Sequence, residues 1–166
     1  MKNTRQPQSK SLEIPQDKIV ETGIIDIALR DVKGNVRKLT DLKGKVVLVT
    51  GAAGSIGSEL CRQLCHFGLK QLVLFDSAET PMHNIRLELE EKFPDVEFTP
   101  VMGDIRMIHR VESIYQRFHP QLVFHAAAYK HVPLMEENPC EAVHTNVYGT
   151  RNVADMAVKY DVDKFI

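Results

Sequence analysis

The chain has 166 residues, of which 43% are hydrophobic and 26% charged, a composition typical of a single globular domain with its own core. Its 21 basic and 22 acidic side chains give a net charge of −1, so no overall field attracts nucleic acid, and any bound anion needs a local site. No apolar run approaches the roughly 20 residues of a membrane span, and the N-terminus has no apolar signal-peptide core. The three cysteines are few and odd in number, which fits a reducing compartment. We therefore predict a cytoplasmic protein.

The N-terminal quarter of the chain differs in character from the rest. Residues 1–22 are polar, contain Pro7 and Pro15, and are predicted to form a flexible leader. Residues 23–42 alternate apolar and polar side chains around Gly34-Asn35, which predicts a β-hairpin-like extension.

From residue 43 onward, buried strands alternate with amphipathic helices. Val46 to Val49 form a continuous apolar run, as expected of a strand buried on both faces, and the helix that follows is predicted to end at Gly68. Further strands are predicted at 71–75, 96–101, 122–125 and from 164, and further helices from Thr80-Pro81, around 111–118 and over roughly 139–160. This order predicts an α/β fold, a Rossmann-type doubly wound parallel sheet over residues 43–166, whose fifth strand is only beginning at Ile166.

A glycine-rich turn, Thr50-Gly51-x-x-Gly54-x-x-Gly57, lies between the first buried strand and its helix. In such a position Gly51 permits a tight turn, Gly54 lets the backbone approach a pyrophosphate, and Gly57 lets the helix pack closely on the strand. The helix N-terminus then offers free N–H groups and a positive dipole end to phosphates. The alternative is that the three glycines form only a loop.

An acidic residue, Asp76, ends the second strand 25 positions after Gly51. A carboxylate there accepts hydrogen bonds from the adenosine ribose hydroxyls of a dinucleotide and repels a 2′-phosphate. We therefore expect NAD as the cofactor, with NADP as a possible substitute. The alternative for Asp76 is a turn or helix-capping acid.

At this point the sequence resembles the extended short-chain dehydrogenase/reductase superfamily. Within it, the chain is similar to the CapD-type nucleotide-sugar 4,6-dehydratases and epimerases of bacterial polysaccharide biosynthesis. The similarity rests on Val-Thr-Gly-Ala-Ala-Gly-Ser-Ile-Gly-Ser-Glu-Leu at 49–60, Gly-Asp-Ile-Arg at 103–106, His-Ala-Ala-Ala-Tyr-Lys-His-Val-Pro-Leu-Met-Glu at 125–136 and Asn-Val-Tyr-Gly-Thr at 146–150. The third segment is the most specific, because few other families follow an alanine triplet with Lys-His-Val-Pro.

The resemblance implies a set of binding residues. Those expected to bind the cofactor are Gly51, Gly54, Ser55, Ile56 and Gly57 at the pyrophosphate, Asp76 at the ribose, Asp104 and Ile105 beside the adenine, and Ala126, Ala127 and Ala128 against the nicotinamide-side ribose. Those expected to face a nucleotide sugar are Lys130 and His131, while Asn146 orders the floor of the active site. For the alanines the alternative is tight packing, and for the other three a surface or capping role.

The resemblance also implies a reaction. The cofactor takes hydride from the sugar 4-position, water is lost across positions 5 and 6, and the hydride returns at position 6. The superfamily's catalytic groups lie in a Ser/Thr-x-Asp-Lys segment after the fifth strand and in a Tyr- or Met-x-x-x-Lys pair on the next helix. We expect neither motif in this chain, because it ends at Ile166, where the fifth strand begins, so we assign no catalytic residue and expect the chain to be inactive alone.

The resemblance further implies partners for the full-length parent protein: a UDP-sugar substrate, a possible membrane anchor outside this chain, and homo-oligomerisation through the helix at 139–160. Two other functions are weighed against it. One is a stand-alone dinucleotide-binding module. The other is a thiol-redox protein, since residues 26–49 resemble the opening hairpin and first core strand of thioredoxin-like proteins. Cys61 and Cys65 have the wrong spacing for a redox pair and no His or Cys partner at metal spacing, so no metal site is predicted either.

Overall fold

The computed structural model describes residues 42–166 and, in addition, the backbone of two short strands, β1 (Leu29–Arg30) and β2 (Val36–Arg37). These two strands pair antiparallel, with Leu29 opposite Arg37. They lie within the segment for which a hairpin is predicted, while the predicted leader at 1–22 falls outside the described residues. The strand pair and residues 42–166 belong to two separate compact units.

The larger unit is built on a five-stranded parallel sheet. Its strands are β3 (Val46–Thr50), β4 (Gln71–Asp76), β5 (Phe98–Met102), β6 (Leu122–His125) and β7 (Lys164–Phe165), in the spatial order β5-β4-β3-β6-β7. The order reverses beside β3, which confirms the doubly wound Rossmann-type fold. Thr50 pairs with Phe75 on one side and His125 on the other, so the carboxyl ends of β3, β4 and β6 are nearly level at one edge of the sheet.

Helices connect these strands. They are α1 (Ser55–Leu64) with a 3-10 turn at Cys65–Phe67, α2 (Glu79–Lys92), α3 (Ile108–Phe118), α4 (Val132–Glu137), α5 (Pro139–Ala142), a π-helical segment (Val143–Gly149) and α6 (Thr150–Lys159). The long helix predicted at 139–160 is therefore α5, the π-helical segment and α6 in succession. Within the described part of the chain, no helix combines the length and the apolarity that crossing a membrane requires.

The start of α2 differs from the prediction. The helix is predicted to start at Thr80-Pro81, with Thr80 as its N-cap residue and Pro81 at the first helical position, whereas it begins at Glu79 and Ala78 is its N-cap residue. The reason is that the Asp76 carboxylate accepts the Ala78 N–H at 2.9 Å, which turns the chain into the helix earlier.

The core lies on both faces of the sheet. On one face Leu48, Val73 and Val123 pack with α3 and α6, where the buried Tyr115 hydroxyl donates to the Val153 carbonyl at 2.9 Å. Because successive side chains in a strand point to opposite faces, the equally buried Val47, Val49, Leu72 and Leu74 form the other face, beside α1 and α2. The loops at the carboxyl edge therefore stand on a rigid base.

Candidate cofactor site

The glycine turn between β3 and α1 is packed too tightly for side chains. Gly51 has φ +66°, and a Cβ placed on it would lie 2.6 Å from the backbone of Ala126 and Ala127. A Cβ on Gly57 would overlap the Gly51 carbonyl oxygen. The turn, the first turn of α1 and the chain leaving β6 therefore meet backbone to backbone, which is the geometry that close approach of a phosphate requires.

The N-terminus of α1 opens beside this turn. Gly54 is its N-cap residue and supplies no side-chain cap, and the first helical hydrogen bond runs from the Ser58 N–H to the Gly54 carbonyl at 2.8 Å. The N–H groups of residues 55–57 consequently have no acceptor within the described part of the chain. Unpaired N–H groups and the positive end of the helix dipole make this end of α1 suited to an anion.

Asp76 holds the turn in place. Its Oδ2 accepts the Ala53 N–H and its Oδ1 accepts the Ala78 N–H, each at 2.9 Å. Asp76 therefore makes the contacts expected of a turn or helix-capping acid, which is the alternative role considered for it above. A carboxylate has about four lone-pair directions, so both oxygens can still accept a hydroxyl from a ligand.

A cleft lies along the carboxyl edge of the sheet. It is lined by Gly51, Gly54, Phe75, Asp76, Ser77, Gly103, Asp104, Ile105, Arg106, Ala126, Ala127, Ala128, Tyr129 and Thr145. Eight of the predicted cofactor residues thus share one cleft. The remaining three, Ser55, Ile56 and Gly57, form the first turn of α1 beside it.

The predicted adenine residues are held rigidly. Asp104 accepts hydrogen bonds from the backbone N–H and from Nε of Arg106, each at 2.8 Å, and these bonds lower the pKa of the Asp104 carboxyl. Arg106 also pairs with Glu141 of α5 at 2.8 Å. Ile105 is buried against Gly149, where an added Cβ would lie 2.5 Å from its Cδ1 atom.

Two of the three predicted substrate residues come together beside the cleft. Asn146 clamps the loop after β6, because its Oδ1 accepts the Tyr129 N–H at 2.8 Å and its Nδ2 donates to the Tyr129 carbonyl at 2.9 Å. The Lys130 ammonium donates to the Ser55 hydroxyl at 2.7 Å, which places a positive charge at the first turn of α1. Lys130 and Asn146 also line a second cleft. His131, the exposed residue that precedes α4, does not line it.

Thr145 lines the first cleft and was missed by sequence reasoning. It lies in the π-helical segment, it is 9% exposed, and its hydroxyl oxygen is buried without a hydrogen-bond partner among the described residues. Such an atom costs about 1–3 kcal/mol of stability, so its persistence at a cleft points to a ligand. The only signal in the sequence was its position next to Asn146.

His125 was also missed as an individual residue, although it opens the most specific segment of the resemblance. Its Nδ1 lies 2.7 Å from the Thr50 hydroxyl and its Nε2 lies 2.8 Å from the Thr150 hydroxyl. Burial lowers the pKa of this imidazole, which favours its neutral form.

Cys61 of α1 and Cys65 of the 3-10 turn after it do not form a redox site. Cys61 and Cys65 are both buried, and burial raises the pKa of their thiols to about 12 and about 11. Because the thiolate is the reactive form, these thiols are inert at neutral pH. The structure thus gives no support to the thiol-redox function.

One further pattern went unnoticed in the sequence: Tyr160 and Lys164 have the Tyr-x-x-x-Lys spacing. They do not share a helix, because Tyr160 follows the end of α6 and Lys164 begins β7. The Tyr160 hydroxyl donates to Glu112 at 3.2 Å, away from the cleft residues. This spacing therefore does not supply the catalytic pair.

Comparison with known proteins gives consistent matches. Residues 47–166 match the polysaccharide biosynthesis protein family. The capsular polysaccharide biosynthesis protein CapD of Staphylococcus aureus is 40% identical over 169 residues, covering 100% of this chain and 28% of that protein. The UDP-N-acetylglucosamine 4,6-dehydratase (inverting) of Campylobacter jejuni is 32% identical, covering 74% of this chain and 35% of that protein.

Solved structures agree with the fold. The UDP-glucose 4-epimerase of Thermus thermophilus in complex with NAD superposes with a TM-score of 0.61 at 30% identity, covering 72% of this chain and 36% of that one. In these three matches, the chain covers between 28% and 36% of the length of the matched protein.

Proposed function

The chain belongs to the polysaccharide biosynthesis protein family, and from that membership we propose that it is the cofactor-binding part of a nucleotide-sugar dehydratase or epimerase of the extended short-chain dehydrogenase/reductase type. The observation that carries the proposal is the cleft in which the glycine turn, the free N–H groups of α1 and Asp76 meet. The relatives do not favour a stand-alone binding module, which remains the second candidate.

The residues present fit a nicotinamide dinucleotide. The turn at Gly51 and Gly57 leaves no room for side chains, so the backbone itself faces the cleft. The unpaired Thr145 hydroxyl offers a polar contact that the protein alone leaves unused. When bound, the nicotinamide would supply a hydride acceptor and donor for the sugar.

Each predicted residue has a role in this proposal. The N–H groups of residues 55–57 bind the pyrophosphate. Asp76 accepts the ribose hydroxyls, and its charge disfavours a 2′-phosphate, so NAD is preferred over NADP. Asp104 and Ile105 border the adenine, and the small side chains of residues 126–128 let the nicotinamide-side ribose approach the backbone.

The substrate of the whole protein is proposed to be a UDP-sugar. Lys130, His131 and Asn146 are assigned to its side of the site. Lys130 also brings a cation to the first turn of α1, where it would pair with a phosphate oxygen of a bound ligand. Self-association through the helix at 139–160 stays a prediction.

Calorimetric titration of the 166-residue chain with NAD+, NADH and NADP+ tests the proposal. We expect one dinucleotide per chain and weaker binding of NADP+ than of NAD+. Absence of binding by all three at about 1 mM would contradict it. A following titration with a UDP-sugar is a further check, because binding of the sugar nucleotide would favour the dehydratase or epimerase part over a stand-alone dinucleotide module.

A further inference from the structure

A single histidine joins the glycine turn to two other elements. Thr50, the last residue of β3, is fully buried, and its hydroxyl bonds His125 Nδ1 at 2.7 Å. On the other side of the ring, Nε2 bonds the hydroxyl of Thr150, the first residue of α6, at 2.8 Å. The ring also stacks on Phe165 of β7, with 5.8 Å between ring centroids and 29° between planes. His125 therefore contacts β3, α6 and β7 at once.

The Thr50 contact acts directly behind the glycine turn. Thr50 precedes Gly51, and the Thr50 carbonyl accepts the Ala126 N–H at 3.0 Å. The same stretch of chain is where Gly51 packs on the backbone of Ala126 and Ala127. A side-chain bond and a backbone bond thus fix the spacing between the turn and the exit of β6.

The Thr150 contact acts on the opposite wall. Thr150 directly follows the π-helical segment that carries Thr145 and Asn146. A neutral imidazole has one donor and one acceptor, and each hydroxyl can take either role. Neither hydroxyl has another side-chain partner in the described part of the chain. The ring and the two threonines therefore satisfy one another with directional bonds that an apolar side chain of the same size would not make.

We propose that His125 is a positioning residue for the cofactor, which holds the glycine turn and the Thr145–Asn146 wall at the separation that the dinucleotide requires. This inference rests on the proposed function, namely that the cleft binds a nicotinamide dinucleotide. Of the two bonds, the one to Thr50 governs affinity, because Thr50 is covalently joined to the turn itself.

Three substitutions of His125 test the contacts of the ring separately. In His125→Asn the side-chain amide replaces Nδ1 and keeps the Thr50 bond, whereas in His125→Gln it reaches the position of Nε2 and keeps the Thr150 bond. His125→Phe keeps the stacking on Phe165 and loses both bonds. His66→Asn, at an exposed histidine beyond α1, is the matched control.

The readout is the Kd of NADH, measured at a temperature where circular dichroism shows each variant folded. We expect His66→Asn to match the wild type, His125→Asn to stay within about threefold, and His125→Gln and His125→Phe to bind about tenfold more weakly. Wild-type affinity in all three His125 variants would overturn this inference and leave the proposed function standing. Equal weakening in His125→Asn and His125→Gln, in step with their melting temperatures, would show a merely structural role and also overturn it.

A second pair covers the case in which His125 variants do not fold. Thr50→Ser keeps the hydroxyl and Thr50→Val removes it, and we expect a raised NADH Kd only in Thr50→Val. Equal Kd values for this pair would contradict the inference. A wild-type chain that does not bind NADH contradicts the proposed function as well, so the two failures are distinguishable.

Discussion

The carboxylate of Asp76, at the end of β4, accepts a hydrogen bond from the backbone N–H of Ala53 in the glycine turn, with 2.9 Å between Oδ2 and N. The same side chain holds the start of α2 through Ala78. The residue assigned to the ribose therefore also shapes the turn assigned to the pyrophosphate. Substituting it affects both parts of the cofactor site.

Asp76→Ala is expected to weaken NADH binding about 10- to 100-fold, because hydrogen bonds to a charged acceptor contribute roughly 1.5–3 kcal/mol. Removing the negative charge also removes the repulsion of a 2′-phosphate, so the preference for NADH over NADPH should narrow. Parallel titrations with NADH and NADPH measure the ratio of the two Kd values. The control is Asp95→Ala, at an exposed acid well beyond Asp76 in the sequence. An unchanged ratio of the two Kd values would show that Asp76 does not face the ribose.

Gly51→Ala and Gly44→Ala separate backbone strain from crowding. Both glycines have positive φ, +66° and +72°, but a Cβ on Gly44 would meet nothing within 4 Å, whereas one on Gly51 would meet the exit of β6 at 2.6 Å. We expect Gly44→Ala to lower the free energy of unfolding by about 1–2 kcal/mol. Gly51→Ala should lower it by about 1–3 kcal/mol more. Urea denaturation measures both, and equal losses would mean that the turn is not packed against β6.

Thr145→Val should change stability and affinity in opposite directions. It removes a buried hydroxyl without a partner, so the free protein should gain about 1 kcal/mol of unfolding free energy. If the hydroxyl contacts the bound dinucleotide, the same change raises the NADH Kd, while Thr145→Ser retains the affinity. Chemical denaturation and NADH titration of both variants are the measurements. A Thr145→Val protein that is less stable and binds NADH normally would refute this account of the cleft.

Acid should destabilise the domain through His125. Burial lowers the pKa of its imidazole in the folded state below the ordinary value of 6.5. Above pH 6.5 the ring is neutral in both states and its full contribution is present. As the pH falls below that value, the unfolded chain takes up a proton that the folded chain resists, so the free energy of unfolding drops until the folded pKa is passed.

The measurement is the urea midpoint of the wild type and of His125→Asn between pH 7.5 and 5. The two proteins differ only at residue 125, so the difference between the two curves reports His125. We expect the wild type to lose more stability than the variant over this range. Parallel curves would indicate that the imidazole is protonated as easily in the folded protein as in the unfolded one.

Much of the fold was predictable because its signals are local. The uninterrupted apolar run at Val46 to Val49 indicated a strand buried on both faces, and Gly68 indicated the end of the first helix, where it has φ +60°. The glycine turn was predictable for the same reason, since its residues are adjacent in sequence. The parallel sheet followed from the order of these elements.

The parts that were not predictable depend on contacts between distant residues. His125 bonds Thr50, which is 75 positions away in the sequence, and Thr150, which is 25 positions away. The first of these contacts depends on the register between β3 and β6, which places Thr50 opposite His125. The Tyr160 and Lys164 spacing shows the converse, because two residues with a suitable interval lie on different elements. The spacing of a helical pair such as Tyr-x-x-x-Lys is informative only where one helix contains both residues.

Hydrogen exchange at the amides of Ser55, Ile56 and Gly57 tests most directly whether the N-terminus of α1 holds the phosphates of the cofactor. These N–H groups have no acceptor in the described structure, so they should exchange fast in the free protein. With saturating NADH we expect their exchange to slow by about tenfold or more, as new hydrogen bonds to phosphate oxygens form. Amides at the far end of α2 should be unaffected. NADH binding without protection of these three amides would contradict the assignment of the glycine turn as the pyrophosphate site.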